Sequence, residues 1–180
     1  PISLPVAESA PNMPISPYGW HKLAKELLLR QYTTMFGVKG TAARIFSTFG
    51  PGLGQLAVWD IASRMSTGIF EIEGTGLETR DYLYIEDVAN AIVTISIAAP
   101  GSGEAINVGS GSETEILRLG QLIATGLGYP ERVTAAGNGP AIGKPSRWRA
   151  DVAALHALGF SPRHTLESGL SKTLDWIRSL

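Results

Sequence analysis

Strand-like and helix-like stretches alternate along this chain, and that alternation constrains it most. From Tyr18, apolar residues at Leu23, Leu27, Leu28 and Met35 recur at helical spacing. Ser16 and Pro17 are placed to start this helix, and Gly37 lies just beyond its end near Phe36. Val38–Phe46 then reads as a buried strand, STFGPGLGQ as a loop, and 56–67 as a helix stopping at Gly68. Short strands follow at 69–73 and 81–85, a helix at 86–99, and a buried strand at 105–109. A further helix is expected to begin at Ser112, with Ile116, Leu119, Ile123 and Leu127 as its stripe. Residues 128–148 read as irregular, and helices near 151–158 and 166–179 close the chain. Such alternation predicts an α/β fold. Residues 1–17 hold five prolines and no helix is expected there.

Composition narrows the function classes. The 180 residues carry 15 Lys+Arg and 16 Asp+Glu, a net charge of −1, which leaves no electrostatic footprint for nucleic acid or an anionic membrane. There is no cysteine, hence no disulfide, thiolate metal site or thiol nucleophile, and no metal ligand set is expected. The longest apolar run, around 89–100, is too short to span a bilayer. No leader is expected either, since PISLPVAES lacks a basic stretch followed by an apolar one, and the reading is a cytoplasmic protein.

The segment PISPYGWHK (14–22) sets Tyr18 and Lys22 four apart at a helix start, on one face. A free phenol titrates near 10 and is a poor base at neutral pH; an ammonium beside it favours the phenolate. Moving a phenol by about three units takes roughly 4 kcal/mol, within reach of a close cation in a water-poor site. Such a pair can move a proton to or from a hydroxyl.

PISPYGWHK resembles the P-x-S-P-Y-G-x-S-K segment of the extended short-chain dehydrogenase/reductases, the NAD-dependent sugar-nucleotide epimerases and dehydratases. ARIFSTFGPG (43–52) is similar to the family's R-x-F-N-V-Y-G-P-G, and GTGLETRDYLYIEDVANAI (74–92) to G-x-G-x-x-x-R-D-F-x-x-V-x-D-V-A-x-A. AINVGSGSE (105–113) resembles the N-V-G-S-G turn, and ADVAALHALGFSP (150–162) and LESGLSKTLDWI (166–177) resemble the family's ending. Six segments in order cover nearly the whole chain. The resemblance implies the C-terminal part of a Rossmann-type enzyme with its substrate-binding subdomain. The N-terminal dinucleotide-binding strands, including the Gly-rich phosphate turn, are absent from these residues. It divides the chain into 1–55, the Tyr-Lys helix and following sheet strand, and 56–180, mainly the substrate subdomain, with strand 105–109 returning to the sheet.

By the same resemblance, Tyr18 is the acid/base and Lys22 supports it and holds the nicotinamide ribose. Phe46 and Ser47 line the nicotinamide pocket, although Ser47 stands where the family usually has Asn and offers one hydroxyl instead of an amide. Arg80 matches an arginine that grips the nucleotide phosphates, as a planar fork can. In the late loop AIGKP (141–145), Ala141 replaces the family's phosphate-binding Arg, so Arg147, Arg149 or Lys144 is expected to compensate, with Trp148 able to cover a base. Ser47 thus also counts, with Arg80, Arg147 and Arg149, among the substrate contacts. Asp87 is expected to cap the helix it begins, Trp20, Trp148 and Trp176 to pack, and His21 to be exposed. INVGSGSETEI imitates a dinucleotide turn, but Thr114 occupies the third glycine position and Glu113 and Glu115 flank the helix start. It reads instead as a plain helix start after the last sheet strand.

The implied activity is NAD-dependent epimerase or dehydratase chemistry on a nucleotide sugar, with NAD or NADP as cofactor. The chain alone is expected to be inactive and not to hold the cofactor. Without further strands the sheet strand at 38–46 keeps an open edge. The expected partner is therefore a second copy or a separate N-terminal half. The alternative is an inactive truncated remnant acting as a nucleotide- or protein-binding module.

Overall fold

The computed structural model describes residues 3–130, 132–137 and 146–180. Helix α1, Pro17–Phe36, begins where Ser16 accepts the Gly19 N–H at 3.2 Å, with Pro17 in the first turn. It ends at Gly37, whose φ of 67° takes the left-handed conformation and lets its N–H return to the Thr33 carbonyl. Strand β1, Gly40–Ile45, follows and pairs in parallel with β6, Ser102–Val108. β1 carries no buried residue, contrary to the buried strand expected there. Among the described residues it is hydrogen-bonded only on its β6 side, so half of its environment is open.

Three further small pairings complete the strands. β2 (Ser47–Phe49) runs parallel to β5 (Tyr82–Tyr84), β3 (Glu71–Ile72) parallel to β8 (Thr134–Ala135), and β4 (Thr79–Arg80) antiparallel to β7 (Thr114–Glu115). The helices are α2 (Leu56–Ser66), α3 (Ile85–Ala98), α4 (Ile116–Leu127), α5 (Ala153–Ala157) and α6 (Leu166–Arg178). α4 begins four residues later than Ser112, because Thr114 and Glu115 are drawn into the bridge with β4. β8 lies within the stretch expected to be irregular, paired to a strand more than 60 residues away.

Strand β5 separates two apolar cores. Tyr82 and Tyr84 face one, with Phe49, Met65, Leu119 and Leu174; Leu83 faces the other, with Val88, Ile95, Ile106 and Val108. This alternation follows from side chains leaving a strand on opposite faces. Trp176 packs as expected, its ring 5.4 Å from Trp59. Trp20 does not: it is exposed on α1. No described helix is long and apolar enough to cross a membrane.

Candidate active site

Tyr18 and Lys22 lie in the first two turns of α1, and the Lys22 Nζ sits 5.2 Å from the Tyr18 ring centroid. Both are exposed. One turn further along the same face, Glu26 meets Arg44 of β1 through two hydrogen bonds of 2.9 and 2.7 Å. The Glu26 carboxylate raises the Arg44 pKa, outweighing burial. This fork pins α1 over β1 and fixes its direction. The missing side chain at Gly40 makes room for Leu29, nearer the helix end, while Arg44 reaches back to Glu26. Helix and strand are therefore antiparallel. From Phe36 back to Lys22 is about 21 Å of helix, and from Gly40 on to Phe46 about 20 Å of strand. Lys22 thus stands level with the carboxyl end of β1, the end at which open α/β sheets bind their ligands.

The loops beyond β1 and β6 are tied together by a buried carboxylate. Asp81 is fully buried and accepts hydrogen bonds from Ser110 N (2.6 Å), Ser110 Oγ (2.7 Å), Gly111 N (3.0 Å) and Ala150 N (3.0 Å). Its own carbonyl takes the Ser47 N–H at 2.9 Å, and the Phe46 N–H goes to the Val108 carbonyl. The N–H groups of the turn that imitates a dinucleotide motif are therefore already spent on Asp81, which leaves them unable to cradle a pyrophosphate. A side chain at Gly109 would stand 2.8 Å from Asp81 Oδ2, so this approach requires glycine.

The strand carrying Arg80 joins the late loop beside this knot. Thr79 N donates to the Ser146 carbonyl, and Thr79 Oγ1 donates to Glu113 Oε1 at 2.6 Å. Arg147 closes a fork on the same Glu113, with Nε at 3.0 Å and Nη2 at 2.5 Å. The hydrogen bonds from Arg147 and Thr79 hold the Glu113 carboxyl below its ordinary range. Trp148 lies against Phe46, ring centroids 5.3 Å apart. Arg149 sits between them and Ala150, partly buried, with a buried Nε that has no hydrogen-bond partner among the described residues. Arg80 Nη1 donates to the Thr79 carbonyl at 2.6 Å. The amino-terminal segment clamps the loop from behind. Val6 pairs with Arg149 and Asp151 by backbone hydrogen bonds, and Asn107 Nδ2 donates to the carbonyls of Val6 and Asp151.

Two groupings result. Tyr18 and Lys22 stand together on α1. Phe46, Ser47, Arg80, Arg147 and Arg149 are joined through Asp81, Thr79 and Trp148 at the carboxyl ends of β1 and β6. Of the two arginines expected to replace the Ala141 contact, Arg147 is forked onto Glu113, whereas the buried Arg149 Nε has no hydrogen-bond partner among the described residues. Ala141 and Lys144 lie outside the described residues. Asp87 does not cap α3, which starts at Ile85. Instead, fully buried, it accepts the N–H groups of Arg163 and His164, each at 3.0 Å. Asp81, Glu113 and Asn107 went unread as organisers of the site, because their partners lie 29 to 101 residues away. Among the described residues no three His, Asp or Glu side chains gather as metal ligands.

Comparison with known proteins adds independent findings. The family model for the NAD dependent epimerase/dehydratase family matches residues 3–109. A UDP-glucose 4-epimerase of Mycolicibacterium smegmatis is 31% identical over 188 residues, covering 99% of this chain and 58% of its own. The crystal structure of a Thermotoga maritima UDP-glucose 4-epimerase with UDP-glucose superposes with a TM-score of 0.87 at 29% identity, covering 98% of this chain and 58% of that one. A Bacillus cereus UDP-glucuronic acid 4-epimerase variant, in complex with a UDP-deoxyfluoro-glucuronic acid and NAD, also gives 0.87 at 28% identity, covering 97% and 56%. The chain spans 50 to 59% of the length of the curated relatives it matches.

Proposed function

The chain belongs to the NAD dependent epimerase/dehydratase family, and from that premise we propose that it supplies the proton-transfer pair and the nucleotide-sugar grip of an enzyme acting on nucleotide sugars. The observation carrying this reading is that Tyr18 and Lys22 stand level with a loop cluster bearing an aromatic pair and arginines, at the ligand-binding end of a parallel strand pair. Tyr18 Oη takes or returns the proton of a sugar hydroxyl. Lys22, beside its ring, provides the positive charge that favours this exchange and donors for a ribose. Phe46 and Ser47 face the nicotinamide when the cofactor is bound. Arg80 and Arg149 hold the diphosphate of the nucleotide sugar, as planar guanidinium forks can. Arg147, forked onto Glu113, orients that loop and joins the grip only by leaving Glu113.

NAD or NADP fits these residues in part. Tyr18 and Lys22 present donors suited to a ribose, whereas the G-x-G turn is closed to a pyrophosphate by Asp81. When bound, the cofactor supplies hydride exchange with the sugar ring. We therefore expect these 180 residues alone to bind UDP more readily than NAD. In this reading 1–55 contribute the Tyr-Lys helix and its strand, and 56–180 mainly the substrate subdomain.

The test is an amide NMR titration of the chain with UDP. The expected result is that shifts concentrate at Phe46, Ser47, Arg80, Trp148 and Arg149, and that Arg149→Ala weakens binding at least about fivefold, as loss of a charged hydrogen bond should. Shifts scattered elsewhere, or an unchanged affinity in Arg149→Ala, would contradict the reading. Tyr18→Phe should leave UDP affinity unchanged, because its hydroxyl acts on the sugar.

A further inference from the structure

One carboxylate stands among the arginines of the nucleotide grip. Glu113 lies in the turn after β6, next to the bridge in which Thr114 pairs with Arg80. Arg147 donates to both of its oxygens, Nε to Oε1 at 3.0 Å and Nη2 to Oε2 at 2.5 Å. The hydrogen bonds of Arg147 and Thr79 lower the Glu113 carboxyl, and the positive charge of Arg149 adds to them. A guanidinium fork meets a carboxylate and a phosphate in the same way, through two parallel N–H donors. Glu113 therefore occupies the donors of Arg147 that a diphosphate would use.

The two partners of this fork differ in freedom. The Arg147 side chain is 61% exposed and that of Glu113 only 14%, so Arg147 is the one free to turn away. Glu113 keeps a partner when it does, because Thr79 Oγ1 donates to its Oε1 at 2.6 Å. The backbone on either side of Arg147 is tied down without the fork. Thr79 N donates to the Ser146 carbonyl at 2.9 Å, and Trp148 N donates to Thr79 Oγ1 at 3.4 Å. An exchange of partner at Arg147 thus needs one exposed side chain to move, and the loop stays in place. A brace for the loop would need no such freedom, since Thr79 already holds both neighbours of Arg147.

We propose that Glu113 is a built-in competitor of the nucleotide diphosphate: it holds Arg147 until a diphosphate takes its place, and so sets how tightly the nucleotide is held. This inference rests on the reading of the arginines as a nucleotide grip, and it makes Glu113 a positioning residue that weakens binding.

The probe is UDP, titrated by calorimetry into the full chain, Glu113→Gln, Arg147→Ala and the double variant. Glutamine keeps an acceptor for Thr79 and removes the charge that holds Arg147. Glu113→Gln should therefore bind UDP about threefold more tightly, the scale of a partly exposed ion pair. Arg147→Ala should weaken UDP by less than about twofold in the parent, where a lost phosphate contact is offset by a fork that no longer has to break. In the Glu113→Gln background the same change should weaken UDP about fivefold, a non-additivity expected of coupled residues. Unchanged or weaker UDP binding in Glu113→Gln is what a mere brace would give, and it would overturn the inference while leaving the grip standing. So would an equal effect of Arg147→Ala in both backgrounds. Absence of UDP binding from the folded parent and from Glu113→Gln alike would overturn the grip, and the inference with it.

Discussion

Asp81 draws N–H donors from two stretches, residues 110–111 and residue 150, into one buried carboxylate. Asp81→Asn keeps the shape but turns an acceptor into a donor facing donors. It should cost about 3 kcal/mol or more, read as a lower denaturant midpoint with an unchanged slope. A change below about 0.5 kcal/mol would show that Asp81 does not hold the loops together. Glu104 makes a second residue-scale prediction. Burial pushes its carboxyl up, but hydrogen bonds from Thr41, Ser102 and the backbone outweigh that and bring it to about 2. A carboxyl depressed in the folded state stabilises above its unfolded pKa, near 4.3, and that contribution is lost as pH falls through about 2. Glu104→Gln should therefore be less stable at pH 7, by about 1 kcal/mol once solvent screening is allowed for. The gap to the parent should close between about pH 4.5 and pH 2. A gap that stayed constant with pH would show that the hydrogen bonds do not depend on the charge.

Among the elements, α1 is unusual in burying none of its 20 residues while exposing Trp20, Leu27, Leu28, Tyr32, Met35 and Phe36. An apolar surface of this kind favours association. We expect the chain to self-associate through α1, and Leu28→Glu with Met35→Glu to lower its weight-average mass in sedimentation equilibrium. A parent chain already monomeric at 100 μM would contradict this. The elements also mark what sequence can convey. α1, α2, α3 and α6 were legible because their signals are local: apolar spacing, the Ser16 and Pro17 start, the Gly37 stop. The start of α4 was not, because β7 exists only through its pairing with β4 some 35 residues earlier. The burial of β1 was misread for a related reason, since burial depends on what lies across an edge and composition does not report that.

Across the whole molecule, two cores share strand β5, and the candidate site lies where the loops from both meet. The motif residues of that site were legible from their resemblance to a family: Tyr18, Lys22, Phe46, Ser47 and Arg80. The network that presents them was not, because Asp81, Glu113 and Asn107 act on partners far along the chain. Arg147 shows the difference: its sequence position suggested a phosphate ligand, and its neighbour Glu113 makes it an organiser of the loop. We propose that these residues grip a nucleotide sugar while their G-x-G turn is closed to a dinucleotide pyrophosphate. Calorimetric titration of UDP and of NAD into the same sample tests it most directly. Saturable UDP binding is expected, with NAD at least about tenfold weaker. NAD binding as tight as UDP, or no UDP binding by a well-folded chain, would contradict it.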